Sequence, residues 1–153
     1  MRIQYAKVVP EALQALLGLE RQVEKSGLEH SLLDLVKLRA SQINGCAYCI
    51  DMHSKDAKAR GESEERLYEL MAWREAPFYS ERERAALAWT EAVTLITEGH
   101  VPDQVYQEVS KEFGEAELVN LTLAIAAINA WNRMGIAFRI PPGSYHPAPA
   151  APR

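Results

Sequence analysis

The stretch Leu38-Arg39-Ala40-Ser41-Gln42-Ile43-Asn44-Gly45-Cys46-Ala47-Tyr48-Cys49-Ile50-Asp51-Met52-His53 decides how the rest of the chain is read. Its first half continues a helical spacing of apolar side chains that begins near Ser31 and carries Leu32, Leu35, Val36, Leu38 and Ile43. Asn44-Gly45 interrupts that spacing, and both residues tolerate the left-handed conformation that closes a helix. A new helical run then starts at about Cys46 and continues to Arg60, with Gly61 as its terminator. Two helices joined by a sharp break is the local reading.

Outward from this stretch the apolar spacing stays helical, with no convincing period-two alternation, so the fold class is all-α. A helix opening at Pro10 carries Leu13, Leu16, Leu17, Leu19 and Val23 and stops at Gly27. Ser63 can cap a helix through Leu67, Leu70, Met71 and Trp73. Ser80 and Glu83 have the spacing of a capping box, for a helix that carries Leu87, Ala88, Val93, Leu95 and Ile96. Pro102 opens a shorter helix that ends near Gly114, and Glu115 and Glu117 suit the first turn of a last, long one through Leu121, Ile125, Ile128 and Trp131. About seven helices are expected. The last is apolar on almost every side, which implies burial on more than one face and points to packing against another subunit.

The chain has 153 residues, the size of one domain. That domain is placed at 1–140, with residues of the central stretch and its neighbours (about 30–100) as its chemical core. Residues 141–153, Pro-Pro-Gly-Ser-Tyr-His-Pro-Ala-Pro-Ala-Ala-Pro-Arg, read as a Pro/Ala-rich tail. Apolar residues make up 48% and charged residues 25%, which excludes a disordered chain. A net charge of -4 argues against nucleic acid, whose binding rests on clustered Lys and Arg. The longest uncharged apolar stretch, Leu118 to Asn132, is short of the roughly 20 residues a spanning helix needs and carries three asparagines. The N-terminal residues lack the apolar core of a secretory signal, so a cytoplasmic protein is expected.

There are two cysteines, Cys46 and Cys49. Two placed at random in such a chain fall at this spacing in roughly 1 case in 80, so the pair has a cause. A structural bridge is not that cause, because so short a loop adds little constraint to the unfolded chain. At about 100° per residue Cys46, Cys49 and His53 share roughly a 60° sector of the helix, with Tyr48 pointing to the other side. This suits thiol redox chemistry. The thiolate is the nucleophile, and the positive end of the helix dipole near Cys46 and the imidazole of His53 both favour deprotonation. A thiolate that attacks a peroxide becomes a sulfenic acid, which the second cysteine condenses to a disulfide, and an external dithiol restores the pair.

Zinc competes for the same trio, since Cys46, Cys49 and His53 supply three ligands. The fourth would have to come from His30, His100, His146 or a carboxylate, none at recognisable spacing. Haem attachment needs His directly after the second cysteine, where Ile50 stands, and a thioredoxin fold needs a βαβ context. Tyr48, Trp73, Trp89 and Trp131 read as packing or subunit-contact residues.

The opening stretch resembles the core motif of alkylhydroperoxidase AhpD-like proteins of the carboxymuconolactone decarboxylase superfamily. Ala72-Trp73-Arg74-Glu75, Glu83-Arg84-Ala85-Ala86-Leu87 and Asn129-Ala130-Trp131-Asn132-Arg133 are similar to the same branch, so the resemblance covers most of 30–140. It implies an AhpD-like helical bundle, assembled as a homo-oligomer (trimer or hexamer). It also implies a peroxidase or disulfide oxidoreductase needing no cofactor, with a hydroperoxide substrate and an external dithiol reductant such as a lipoyl or thioredoxin-like protein. Cys49 would attack the peroxide, Cys46 would resolve it, and His53 would belong to the proton relay. The family places a Glu twelve residues before the first cysteine; Asp34 stands there, one methylene shorter, and would need a bridging water to reach the site. Asp34 also has a local reading, since Ser31-x-x-Asp34 resembles a helix-start cap.

Which thiol is the more acidic stays open. The helix dipole favours Cys46 and the one-turn spacing to His53 favours Cys49; the resemblance selects Cys49. The alternatives to an enzyme are a metal-binding or structural helical module that uses Cys46, Cys49 and His53, and an oligomeric partner protein with residual redox chemistry.

Overall fold

The computed structural model describes residues 1–147, and within them every regular element is helical. In chain order these are α1 (Tyr5–Val8), α2 (Pro10–Glu24), α3 (His30–Asn44), α4 (Ala47–Ala59), α5 (Glu64–Glu69), a 3-10 turn (Leu70–Ala72), α6 (Glu81–Thr94), α7 (Ile96–Gly99), α8 (Asp103–Glu112) and α9 (Glu115–Phe138). Nine helices thus stand where about seven were expected. The two extra ones, α1 and α7, are four residues each, too short to display an apolar period. The helix expected to carry Leu95 and Ile96 ends at Thr94, and both side chains are exposed.

The middle of the fold is α3, which packs against α4, α6 and α9, while α2 lies along α9 and α8 along α6. One side of α3 (Leu32, Leu33, Val36) joins Trp89, Val109, Phe113, Leu121 and Ile125 in one apolar cluster. The other side (Leu35, Leu38) joins Ala57, Leu67, Leu70, Trp73 and Leu87 in a second. This is why α3 is apolar at adjacent positions: it is covered on two faces. Each such side chain, fully buried, contributes about 1.5–3 kcal/mol.

The junction between α3 and α4 is built as its sequence suggests. Gly45 closes α3 at φ 69°, ψ 31°. The Gly45 N–H donates to Gln42 and the Cys46 N–H reaches back to the Ser41 carbonyl, satisfying carbonyls that the helix end would otherwise leave open. Ser80 and Glu83 form the expected capping box of α6, and Ser63 caps α5. The cap read at Ser31 is not formed: Glu29 precedes α3 and no side chain caps it. The last helix is covered by α2, α3, α4 and α6, yet Val119, Leu123 and Ile136 remain exposed on it.

The first part of the tail is not free. The Gly143 N–H donates to Asp51 at 3.0 Å, the Tyr145 hydroxyl to Asp56 at 2.7 Å, and Lys55 donates to the Tyr145 carbonyl at 3.1 Å. Residues 141–147 are therefore fastened along the outer side of α4, and 148–153 lie outside the described residues.

Candidate active site

Cys46 is the N-cap of α4 rather than a residue of its first turn, with an extended backbone (φ −81°, ψ 93°). Its sulfur accepts the Cys49 N–H at 3.4 Å, in the place a Ser or Asp oxygen occupies in an ordinary cap. Both cysteines are free and buried, 1% and 2% exposed. Above them lies Gly135 of α9. A methyl group on Gly135 would stand 2.9 Å from the Cys46 sulfur and 3.6 Å from that of Cys49, so glycine is what lets α9 approach the pair.

The surroundings make the two thiols unequal. The Cys49 thiol donates to the Cys46 sulfur, and together with the Cys49 and Tyr48 backbone N–H groups and the Asn132 amide it outweighs burial and lowers the Cys46 pKa to about 7. Cys49 is shifted strongly upward, first because it donates to Cys46 and then because it is buried. One negative charge, centred on Cys46, is what the pair holds near neutrality. Asn132 is held in turn: it donates to Ser41 at 3.0 Å and accepts from Asn44 at 2.8 Å.

Only Cys49 opens outward. It lies on a cavity of about 230 Å³ together with His53, Met52 and Tyr48 of α4, Trp131 and Gly135 of α9, Leu17 and Glu20 of α2, Tyr5 and Ile140. Tyr48 was expected on the far side of the helix. That expectation counted Cys46 as helical and the site as a narrow stripe, whereas α4 turns a broad face toward α1, α2 and α9.

His53 is 6% exposed, and its Nε2 has no protein hydrogen-bond partner among the described residues. Burial, followed by the positive charges of Lys37 and Arg60, lowers its pKa to about 3, so the imidazole is neutral at neutral pH. Lys37 is buried beneath it. Burial works against the lysine's charge, but Glu20 at 2.5 Å and Glu24 at 3.0 Å prevail and raise its pKa. The second oxygen of Glu20 is buried without a protein partner.

Asp34 is not brought to this cavity. Its carboxylate is paired with Arg60 and lines a different cleft with His30, Ser31, Ala57, Gly61 and Glu62. The physical reason is its place on α3: it looks toward the C-terminal end of α4, where Arg60 sits, and not toward the helix's start. Burial raises its pKa, against the pull of Arg60. His30 is paired with Glu24 at 3.3 Å, and His100 closes α7 in a left-handed conformation. Among the described residues no group of three or more His, Cys, Asp or Glu side chains is arranged to hold a metal ion.

Several residues of the site were not singled out from the sequence: Glu20, Tyr5, Asn132 and Gly135. Trp131 was assigned to packing and instead walls the cavity. Asn132 and Gly135 did leave a trace, being an amide and a helix-weakening glycine inside an otherwise apolar helix. Glu20 and Tyr5 left none.

Residues 9–92 match the family model described as the carboxymuconolactone decarboxylase family. The chain is 43% identical over 136 residues to the protein YdfG of Bacillus subtilis (strain 168), covering 89% of this chain and 92% of that one. It is 48% identical to a protein of unknown function from Agrobacterium tumefaciens, proposed as an antioxidant defence protein AhpD; the match covers 96% of this chain and 98% of that one with a TM-score of 0.88. The debrominase Bmp8 shares the fold at 22% identity and a TM-score of 0.80, over 88% of this chain and 73% of its own.

Proposed function

The chain belongs to the carboxymuconolactone decarboxylase family, and on that footing we propose that it is a thiol-dependent peroxidase or disulfide oxidoreductase of AhpD type. It reduces hydroperoxides through a Cys46–Cys49 dithiol–disulfide cycle. The observation that carries this reading is the pairing at the start of α4. One sulfur is held as a low-pKa thiolate, first by the Cys49 thiol and then by helix N–H groups, and the other, three residues on, is the one that opens to an apolar cavity.

In this reading Cys49 meets the peroxide, because it alone of the two lines the cavity. Its proton is in contact with the Cys46 thiolate and one helical turn from the neutral imidazole of His53. The product sulfenic acid lies against Cys46, which is already deprotonated near neutrality and condenses with it to a disulfide. Asp34, paired with Arg60, stays outside these steps.

An external dithiol, either a lipoyl group or a thioredoxin-like protein, returns the pair to its reduced form. The working form is a homo-oligomer, a trimer or hexamer, which the exposed apolar residues Val119, Leu123 and Ile136 on α9 support. The cycle belongs in the cytoplasm, where thiols are kept reduced. No described helix is long and apolar enough to cross a membrane.

Dithiol-dependent reduction of an organic hydroperoxide by wild type beside Cys49→Ser tests the reading. Wild type consumes peroxide, loses two thiols per chain and forms the Cys46–Cys49 disulfide, and Cys49→Ser does none of these. Thiols that survive peroxide unchanged would sink it.

A further inference from the structure

We propose that Glu20 and His53 act as one carboxylate–imidazole pair, joined across the cavity by an exchangeable molecule such as water, which carries the Cys49 proton to the oxygen leaving the hydroperoxide. The inference rests on the peroxidase reading above and adds a residue that neither the motif nor its spacing names.

Nε2 of His53 and Oε2 of Glu20 both lack a protein partner among the described residues, and both side chains line the same cavity of about 230 Å³. A buried polar atom is costly unless it is bonded, and the cavity has room for a water, whose share of liquid volume is about 30 Å³. Glu20 cannot swing away to solve the problem alone, because its other oxygen is fixed on Lys37 at 2.5 Å.

Charge supplies the second half. The charges acting on His53 are Lys37 from α3 and Arg60 beyond the end of α4, and the titratable groups that share its cavity are Glu20 from α2, Tyr5 from α1 and Cys49 and Tyr48 on its own helix. From α9 the cavity receives Trp131 and Gly135, neither charged. Asp34 is spent on Arg60, and Lys37 and Arg60 both oppose a protonated imidazole. Glu20 is the one acidic side chain on the cavity wall among the described residues. It is therefore what makes a transient imidazolium tolerable there, as the carboxylate does in any acid–histidine pair.

His53 takes the proton of Cys49, and the Cys49 electron pair forms an S–O bond to the terminal oxygen of the hydroperoxide as the O–O bond breaks. The departing alkoxide takes the proton back from His53, which leaves an alcohol, a Cys49 sulfenic acid and a neutral imidazole. Cys46 then attacks the sulfenic sulfur and expels hydroxide, which is neutralised by a proton from solvent.

The test is a double-mutant cycle on peroxide-driven thiol loss with Glu20→Gln, His53→Asn and the double variant. It is read beside alkylation of Cys49 by iodoacetamide across the neutral and alkaline range. Each single variant should slow the peroxide step by about 100-fold, and the double no further than the slower single. Both single variants should move Cys49 alkylation to higher pH. Glu24→Gln also removes an anion from Lys37 but lies off the cavity, so it should stay near wild type. Multiplying losses, or an alkylation profile that ignores Glu20, would overturn the pair.

Alkylation needs no peroxide. A protein that consumes no hydroperoxide but keeps the Glu20–His53 coupling would therefore refute the peroxidase reading and leave the pair standing. Should Glu20→Gln fail to fold, Glu20→Asp keeps an anion beside Lys37 and withdraws it by one methylene. A wild-type rate and pH profile in that variant would refute the proposal.

Discussion

Gly135 of α9 faces Cys46 of α4 so closely that a single added methyl group would come within 2.9 Å of the sulfur. The sulfur can retreat only by giving up the Cys49 N–H that it accepts as the cap of α4. Gly135→Ala gains about 1 kcal/mol of helix propensity and yet should slow formation of the Cys46–Cys49 disulfide. It should also raise the Cys46 pKa by about one unit, since the cap bond helps to hold the thiolate. Thiolate absorbance against pH and the rate of disulfide closure measure both effects; an alanine variant with wild-type values would mean that the contact is slack.

The same absorbance titration in the wild type should show one thiolate appearing with a midpoint near pH 7 and the second only far into the alkaline range. The first cause of the low value is the Cys49 thiol that donates to Cys46. Cys49→Ala should therefore return Cys46 toward the ordinary value of about 8.5, while Cys49→Ser, which keeps a hydroxyl donor, should hold part of the shift. Equal midpoints in the two variants would count against a hydrogen bond between the thiols.

His53 makes stability depend on pH in a definite direction. Its folded pKa, about 3, lies below the roughly 6.5 of an unfolded histidine, so between these values the unfolded chain binds more protons. Stability should be unaffected by this group above pH about 6.5 and should fall steadily as the pH drops toward 3. The total is several kcal/mol at about 1.4 kcal/mol per unit. Urea unfolding of wild type and His53→Gln across this window checks it; the difference between the two should shrink or reverse in acid. A constant difference would show that the imidazole is not held neutral.

Asp34→Asn separates what sequence position suggests from what geometry allows. The carboxylate is paired with Arg60 in a cleft apart from Cys49, so the variant should keep its peroxide rate within about 2-fold, where loss of a working acid–base group costs about 100-fold or more. Single-turnover oxidation by an organic hydroperoxide decides between the two; a hundredfold loss would return Asp34 to the proton path.

The parts of the molecule that depend on neighbours in sequence could be read from it. The break at Asn44-Gly45, the start of α4, the capping box at Ser80 and Glu83 and the buried α9 all follow from short-range rules of spacing and backbone conformation. The cysteines and His53 were legible for the same reason, being three and four residues apart at the cap and in the first turns of one helix. The walls of the cavity were not. Tyr5, Glu20 and Trp131 arrive from three separate elements, and only the packing of α2 along α9 and of α9 against α4 makes them neighbours. The helical wheel also failed at one end, because Cys46 caps the helix instead of belonging to it; Cys46 does not line the cavity, and Tyr48 is on the wall that the wheel denied it. Asp34 holds the family's position along the chain, yet it is paired with Arg60 in a cleft apart from the cavity, a placement that spacing alone does not give.

Because Cys49 and not Cys46 lines the cavity, the disulfide of the proposed cycle would be opened from a single direction. An incoming thiol meets Cys49 first, and the bond that it breaks releases Cys46, the sulfur whose environment already welcomes negative charge and so the better leaving group. In the proposed cycle electrons therefore enter in a fixed order, through the sulfur that lines the apolar cavity.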